Sequence, residues 1–209
     1  MKQLLLALLL GFNTFGQLNV HLEDFNSGVG SWTVIENGDV SNQWTSTNNL
    51  MQIDGVIVGG DEDWLISPSI NLDTQSDEHF LFDYNDVNTG TLIELLYSTD
   101  YNGGGSTSDV TSATWTVLPL QVLDIDNLSC FTTLLQRHPS INISGINGTS
   151  VYFAFKAIGT GGLAKQYQID NVHIEAEYYG SVTSLISNGG GCEVLKTEIH
   201  DVIVNQTKV

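Results

Sequence analysis

Short segments of alternating apolar and polar residues recur about every ten residues along this chain, and turn dipeptides such as Asn37-Gly38 and Asn147-Gly148 separate them. Alternation with a period of two is typical of strands with one buried face, and Asn-Gly between two such segments predicts a hairpin. Almost no stretch repeats with the period of a helix. The pattern therefore predicts an all-β protein built as an antiparallel β-sandwich.

The middle of the chain, residues 61–72, places three consecutive carboxylates, a tryptophan and an apolar alternation side by side. Pro68 interrupts the alternation, and because proline cannot donate to a strand ladder it predicts a strand end, an edge or a bulge. We therefore expect a half-buried strand here, with the acidic triplet where a loop enters the sheet. Such an arrangement is typical of a loop that binds a metal ion or a ligand.

The most apolar segments predict a core formed by Trp32, Trp64, Phe82, Leu95, Tyr152, Phe153, Phe155 and Ile169. Neighbouring residues in a strand face opposite sides of the sheet. Phe153 and Phe155 are therefore predicted to share the inner face, with Tyr152 on the other face.

The first residues of the chain have the order of an export signal. Met1 and Lys2 precede a leucine-rich run to Leu10 and small residues up to Gly16. The run is too short to span a bilayer, so residues 1–16 are predicted to be a signal peptide. No later stretch is apolar enough to span a membrane, which predicts a secreted protein.

Two further segments are predicted downstream of the signal peptide. The sandwich is expected over residues 17–179, and a linker and C-terminal tail over residues 180–209, because the strand pattern decays there. An exported protein would permit a disulfide between Cys130 and Cys192.

Acidic residues dominate the charge of the chain, with 24 Asp and Glu against six Lys and Arg. This balance argues against a nucleic-acid partner, because too few cations are present to neutralise a phosphate backbone. It favours solubility, cation binding or both instead, and calcium takes six to eight oxygen ligands.

Three segments offer such oxygens to a cation. They are Glu23 with Asp24, the triplet that ends at Asp63, and Asp170 with Asn171. The first and last strands of a sandwich often lie side by side, so we expect the first and last of these segments to meet. The alternative is that all are ordinary surface acids in turns.

Signatures of catalysis are missing from the sequence. It has no Gly-x-Ser-x-Gly elbow, no zinc motif and no Glu-x-Asp-x-Glu run of the kind that sandwich glycanases carry. The chain is therefore predicted not to be an enzyme.

Trp44, Tyr101 and Tyr167 lie in or beside polar and glycine-rich loops, so their rings are candidates for stacking on sugars, with packing into the core as the alternative.

Several of these features follow one another in a characteristic order between residues 19 and 177. The segments are EDFNSG at 23–28 with Trp32, DWLISPSINL at 63–72, LLYSTD at 95–100, Trp115, VYFAF at 151–155 and IDNVHI at 169–174. This order resembles the cleaved-adhesin, or choice-of-anchor J, family of exported Bacteroidetes domains.

The resemblance implies a jelly-roll sandwich akin to MAM and carbohydrate-binding modules, with structural calcium and no catalysis. Glu23 and Asp170 match the family's cation-binding positions best, followed by Asp24, Asp63 and Asn171. We therefore expect a secreted adhesion module that binds a glycan or an extracellular protein. The alternatives are a structural domain of a larger exported assembly and a glycan-active enzyme on the same fold.

Overall fold

The computed structural model describes residues 13–38, 43–55, 60–86, 92–120, 135–159 and 165–181. In these ranges the chain forms β1 (Asn13–Glu23), β2 (Thr33–Asn37), β3 (Thr45–Thr47), β4 (Leu50–Gly55), β5 (Glu62–Ile66), β6 (Ser76–Asp86), β7 (Leu92–Ser98), α1 (Thr107–Ser112), β8 (Thr116–Leu118), β9 (Gln136–Arg137), β10 (Ile141–Asn142), β11 (Tyr152–Ile158) and β12 (Lys165–Ser181). None of the helices in this part of the chain is long and apolar enough to cross a membrane.

Some of the sequence predictions fall outside the described residues. Most of the predicted signal peptide does, and its last four residues, 13–16, form the start of β1. Cys130, Cys192 and nearly all of the predicted tail also lie outside.

The strands described here form two sheets, and all their pairings are antiparallel. One sheet has seven strands, in which β12 pairs with β6 along one edge and with β4 and then β1 along the other. The second sheet has five strands in the order β2-β5-β11-β7-β8. The predicted all-β sandwich of two antiparallel sheets is confirmed.

Aromatic side chains from both sheets fill the space between them. Phe80 and Phe82 of β6 meet Phe153 and Phe155 of β11, and the Phe80–Phe153 and Phe82–Phe155 ring centroids are both 5.0 Å apart. Tyr152 belongs to a different cluster, on the outer face of the five-stranded sheet. The predicted facing of these three β11 residues is therefore confirmed.

The outer face of the five-stranded sheet carries a second, smaller core. Trp64 and Ile66 of β5 lie there with Leu96 and Ala154, and the segment 101–115 covers them. The strand predicted to be half-buried is thus buried on both faces. Within the covering segment α1 begins after Ser106, whose side chain and that of Asp109 cap the helix reciprocally.

Truncating Phe153 to alanine should lower the free energy of unfolding by about 3–5 kcal/mol, because a fully buried ring leaves a cavity between the sheets. Denaturant unfolding measures the change. Val117→Ala is the control. Because Val117 is 55% exposed, truncation of its side chain should lower the free energy of unfolding by less than about 0.5 kcal/mol. A loss below about 1 kcal/mol for Phe153→Ala would contradict the assigned packing.

Candidate functional site

The first and last described strands lie side by side, as predicted from the sequence. Strand β1 runs antiparallel to the second half of β12, and Glu23 is opposite Val172. Asp24 follows directly after β1, and Asp170 and Asn171 lie just before the paired stretch of β12. The two acidic segments are therefore delivered to neighbouring positions at the same end of the β1–β12 ribbon.

Asp170 stands at the centre of a group of carboxylates. Burial raises the pKa of Asp170, the backbone N–H of Asn171 lowers it by donating to the carboxylate, and the charges of Asp83 and Asp24 raise it further. The Asn171 side chain donates to Asp83 at 2.9 Å and to Asp170 at 3.3 Å. We call Asp24, Asp83, Asp170 and Asn171 the acidic site.

Asp83 was not among the residues singled out in the sequence. It is directly opposite Asp170 in the pairing of β6 with β12, and Arg137 forms a 2.8 Å ion pair with it. Nothing in the local sequence marks Asp83, because only the register between the two strands brings it to Asp170.

The turn after β1 closes around the Glu23 carboxylate. Glu23 accepts a 3.1 Å hydrogen bond from the backbone N–H of Phe25, and a Cβ placed on Gly30 would lie 2.3 Å from Glu23 Oε2. Gly30 also has a φ of +61°, so only glycine allows this close approach without strain. Asp24 accepts from the backbone and the side chain of Asn26, and these bonds lower its pKa.

Asp63 does not join this group. It is buried in β5 of the five-stranded sheet, opposite Glu36 and Ala157, and its backbone carbonyl accepts a 3.1 Å hydrogen bond from the Trp44 ring nitrogen. Across the described ranges, no three acidic, histidine or cysteine side chains converge closely enough to hold a metal ion by themselves. A cation at the acidic site would therefore need backbone oxygens as further ligands.

The three rings predicted to stack on sugars are buried, which corrects that expectation. Trp44, Tyr101 and Tyr167 are only 2%, 5% and 4% exposed. Trp44 donates to Asp63, Tyr101 packs edge-on against Tyr152, and Tyr167 stacks on Tyr84. A ring that is this little exposed offers no face to a ligand. The structure therefore supports the alternative, in which the three rings pack into the core.

A polar cleft of about 270 Å³ opens beside the end of β7. Its walls are the turn after β7, the start of β8 and the loop before β11. They are lined by Tyr97, Ser98, Thr99, Asp100, Thr114, Thr116, Gly145, Ile146 and Asn147. We call this the β7–β8 cleft, and none of these lining residues is cationic.

Asp100 is fixed in the β7–β8 cleft by its own neighbours. Its carboxylate accepts 2.8 Å hydrogen bonds from the backbone N–H of Thr114 and from the Ser98 hydroxyl. These bonds, the first of them foremost, lower the pKa of Asp100. The cleft therefore presents an ionised acceptor, an amide and several hydroxyl groups at neutral pH.

Comparison with known proteins gives likenesses to solved structures only, since no protein-family model and no curated protein matches the chain. The K3 cleaved adhesin domain of Lys-gingipain from Porphyromonas gingivalis is 16% identical, with a TM-score of 0.46 over 76% of this chain and 99% of that one. The K1 domain of the same protein is 17% identical, with a TM-score of 0.46 over 77% and 98%.

A carbohydrate-binding module is also similar. The family 11 module of the cellulosomal cellulase Lic26A-Cel5E of Clostridium thermocellum is 12% identical, with a TM-score of 0.45 over 76% of this chain and 94% of that one. All three are distant likenesses, and the fold assignment rests on the two sheets described above.

Replacing Asp170 with asparagine should raise the melting temperature at neutral pH in the presence of a chelator. The raised pKa means that ionisation of Asp170 destabilises the fold. This destabilisation is absent below the ordinary pKa of a carboxyl group, where Asp170 is protonated. It grows as the pH rises through the raised pKa of Asp170 in the folded protein. The gain should therefore vanish at about pH 3. Melting curves across this pH range measure it.

Asp109→Asn serves as a control of opposite sign. Hydrogen bonds from Asn102 and Ser106 lower the pKa of Asp109, so its ionised form stabilises the fold and the benefit is lost as the pH falls. This variant should melt lower than the wild type at neutral pH, by an amount that shrinks in acid. An unchanged or lowered melting temperature for Asp170→Asn at neutral pH would contradict the conclusion that ionisation of Asp170 destabilises the fold.

Proposed function

We propose that this chain is a secreted, non-catalytic binding module of the cleaved-adhesin or choice-of-anchor J type, which recognises a glycan or an extracellular protein and carries structural calcium. The observation that carries the binding function is the β7–β8 cleft, where Asp100, Asn147 and several hydroxyl groups surround an open space. Clefts with a few placed polar groups are where proteins recognise small ligands and the side chains of partners.

The charge of the protein supports an extracellular partner that is not a polyanion. The formal net charge is −18 at pH 7, and the cleft adds an ionised Asp100 without a cationic residue in its lining. Such a surface repels nucleic acid, attracts calcium and basic ligands, and imposes no charge penalty on neutral ones. The sequence order of a signal peptide supports export.

Calcium is proposed between Glu23 and the acidic site. Glu23, Asp24, Asp170 and Asn171 would supply side-chain oxygens, and backbone carbonyls of the turn over residues 25–30, which approaches the Glu23 carboxylate, would supply others. Calcium accepts such mixed oxygen ligands in flexible geometry. The support for this proposal is the position of Asp170, which is partly buried and directly opposite Asp83, because a nearby divalent cation would offset the burial and the neighbouring charges that raise its pKa. Asp63 is left out, since it lies within the other sheet.

Millimolar calcium should raise the melting temperature, and chelator should lower it. Binding to the folded state alone adds about 2.7 kcal/mol at a hundredfold excess over Kd, which is roughly 5–10 °C for a chain of this size. Magnesium should act less, because it demands a tighter octahedron and keeps its waters. Glu23→Gln combined with Asp170→Asn should abolish the calcium shift without lowering the stability in chelator. Identical melting curves in calcium and in chelator would refute the calcium proposal.

The binding function is tested by two capture experiments with the immobilised exported chain. One uses a panel of soluble polysaccharides, and the other uses the extracellular proteins of the same organism, each with calcium present. We expect saturable binding to at least one glycan or one extracellular protein. Empty results in both experiments would overturn the binding function.

Other results would favour the alternatives. Stable capture of one component of an exported assembly, with no glycan bound, would favour a structural domain. Turnover of a polysaccharide that is lost on substitution of a single Asp or Glu would instead make the chain an enzyme.

A further inference from the structure

We infer that the β7–β8 cleft binds one ring of a neutral glycan, with Asp100 and Asn147 hydrogen-bonding to its hydroxyl groups and Tyr97 lying against its apolar face. This inference rests on the proposed binding function and deepens it, because it names the class of ligand and the residues that hold it.

Asp100 has the chemistry and the rigidity that recognition of a sugar hydroxyl requires. Its lowered pKa keeps it an acceptor only, and a sugar hydroxyl can donate to it. A carboxylate has about four lone-pair sites, so it can accept from Ser98, Thr114 and a ligand hydroxyl together. Ser98 itself is buried and receives the backbone N–H groups of Asp100 and Tyr101. The acceptor is therefore held in place before a ligand arrives.

Asn147 stands on a loop that is tied down by other parts of the chain. The backbone N–H of Gly148 donates to the Asp73 carboxylate at 2.6 Å, and the Gly148 carbonyl accepts from Leu72 at 2.9 Å. The exposed Asn147 side chain makes a long, 3.3 Å hydrogen bond to the Gly145 carbonyl. An amide can donate to one hydroxyl oxygen and accept from the next, so it suits the adjacent hydroxyl groups of a sugar ring. A pre-formed loop keeps the entropic cost of binding low.

Tyr97 supplies the aromatic surface that the buried rings cannot. It is half-buried, packs against the main core from β7, and lines the cleft opposite Thr116 of β8. Ile146 adds a second apolar group to the lining. A tyrosine that is anchored at one side and partly exposed can meet the C–H face of a sugar while the polar groups bind its rim.

The electrostatics of the cleft select against acidic glycans. A uronic or sialic acid would bring its carboxylate to an ionised Asp100, and none of the lining residues carries a compensating positive charge. The formal net charge of −18 adds long-range repulsion. A neutral saccharide incurs neither penalty.

The test is affinity electrophoresis of the exported chain in gels that contain xyloglucan, galactan, mannan or mixed-linkage glucan, with polygalacturonate as the acidic counterpart. The best neutral polysaccharide is then titrated calorimetrically against Asp100→Asn and Asn147→Ala. Each substitution should weaken binding about tenfold, because Asp100→Asn exchanges a charged acceptor for a weaker neutral one and Asn147→Ala removes the amide that bonds the ligand.

Two matched controls separate the cleft from general effects of the substitutions. Asp109→Asn removes the charge of one hydrogen-bonded carboxylate outside the cleft, and Asn19→Ala truncates an exposed asparagine of β1. Both should bind as the wild type does. Melting curves verify that all four variants are folded.

Each other outcome overturns the inference in a distinguishable way. A neutral glycan that binds Asp100→Asn and Asn147→Ala as tightly as the wild type leaves the binding function intact but places it elsewhere. Equal affinity for polygalacturonate overturns the ligand class. If no neutral polysaccharide binds at millimolar sugar, the inference falls, and capture of an extracellular protein then decides whether the chain is a binding module.

Discussion

Hydrogen bonding along both edges of β12 is the constraint on which the seven-stranded sheet depends. One edge pairs with β6, and the other pairs first with β4 and then with β1. Between Asp170 and His173 the register to β6 shifts, and Asn171 adopts a positive φ of 48°, which asparagine tolerates better than most residues. The bulge changes which residues face inward: Ile169 lies in the core before it and Val172 after it. It thereby turns the polar pair Asp170 and Asn171 away from the core at the point where the first strand arrives.

The acidic site and the β7–β8 cleft are built from different parts of the fold. The acidic site belongs to the seven-stranded sheet, where pairing of β6 with β12 brings carboxylates together. The cleft belongs to the end of the five-stranded sheet, where Asp100 ties the turn after β7 to the residue Thr114 before β8. The second core beneath α1 anchors this turn, because Tyr101 packs there against Trp115. The proposed cation and the proposed ligand would therefore bind to separate parts of the fold.

Periodicity in the sequence was sufficient to predict the strands, the sandwich and the inward facing of Phe153 and Phe155. The bulge between Ile169 and Val172, where the phase of the inward-facing residues changes, was not predicted. By contrast, Asp83 and the cleft depend on pairing and loop closure between distant segments, which no local pattern records. The rings of Trp44, Tyr101 and Tyr167 were misassigned because polar neighbours in sequence suggest exposure, whereas each ring packs beneath other elements.

We propose that a ligand and a cation occupy two separate places on one sandwich. The most direct measurement is the two-dimensional ¹⁵N–¹H spectrum of the labelled chain, recorded during separate titrations with calcium and with the neutral oligosaccharide that binds best. Calcium should shift the amide signals of residues 23–30 and 170–172. The sugar should shift those of residues 97–100, 114–116 and 145–147 and leave the first set in place. Shifts of one shared set of amides by both ligands, or sugar-induced shifts confined to other residues, would contradict two separate binding sites.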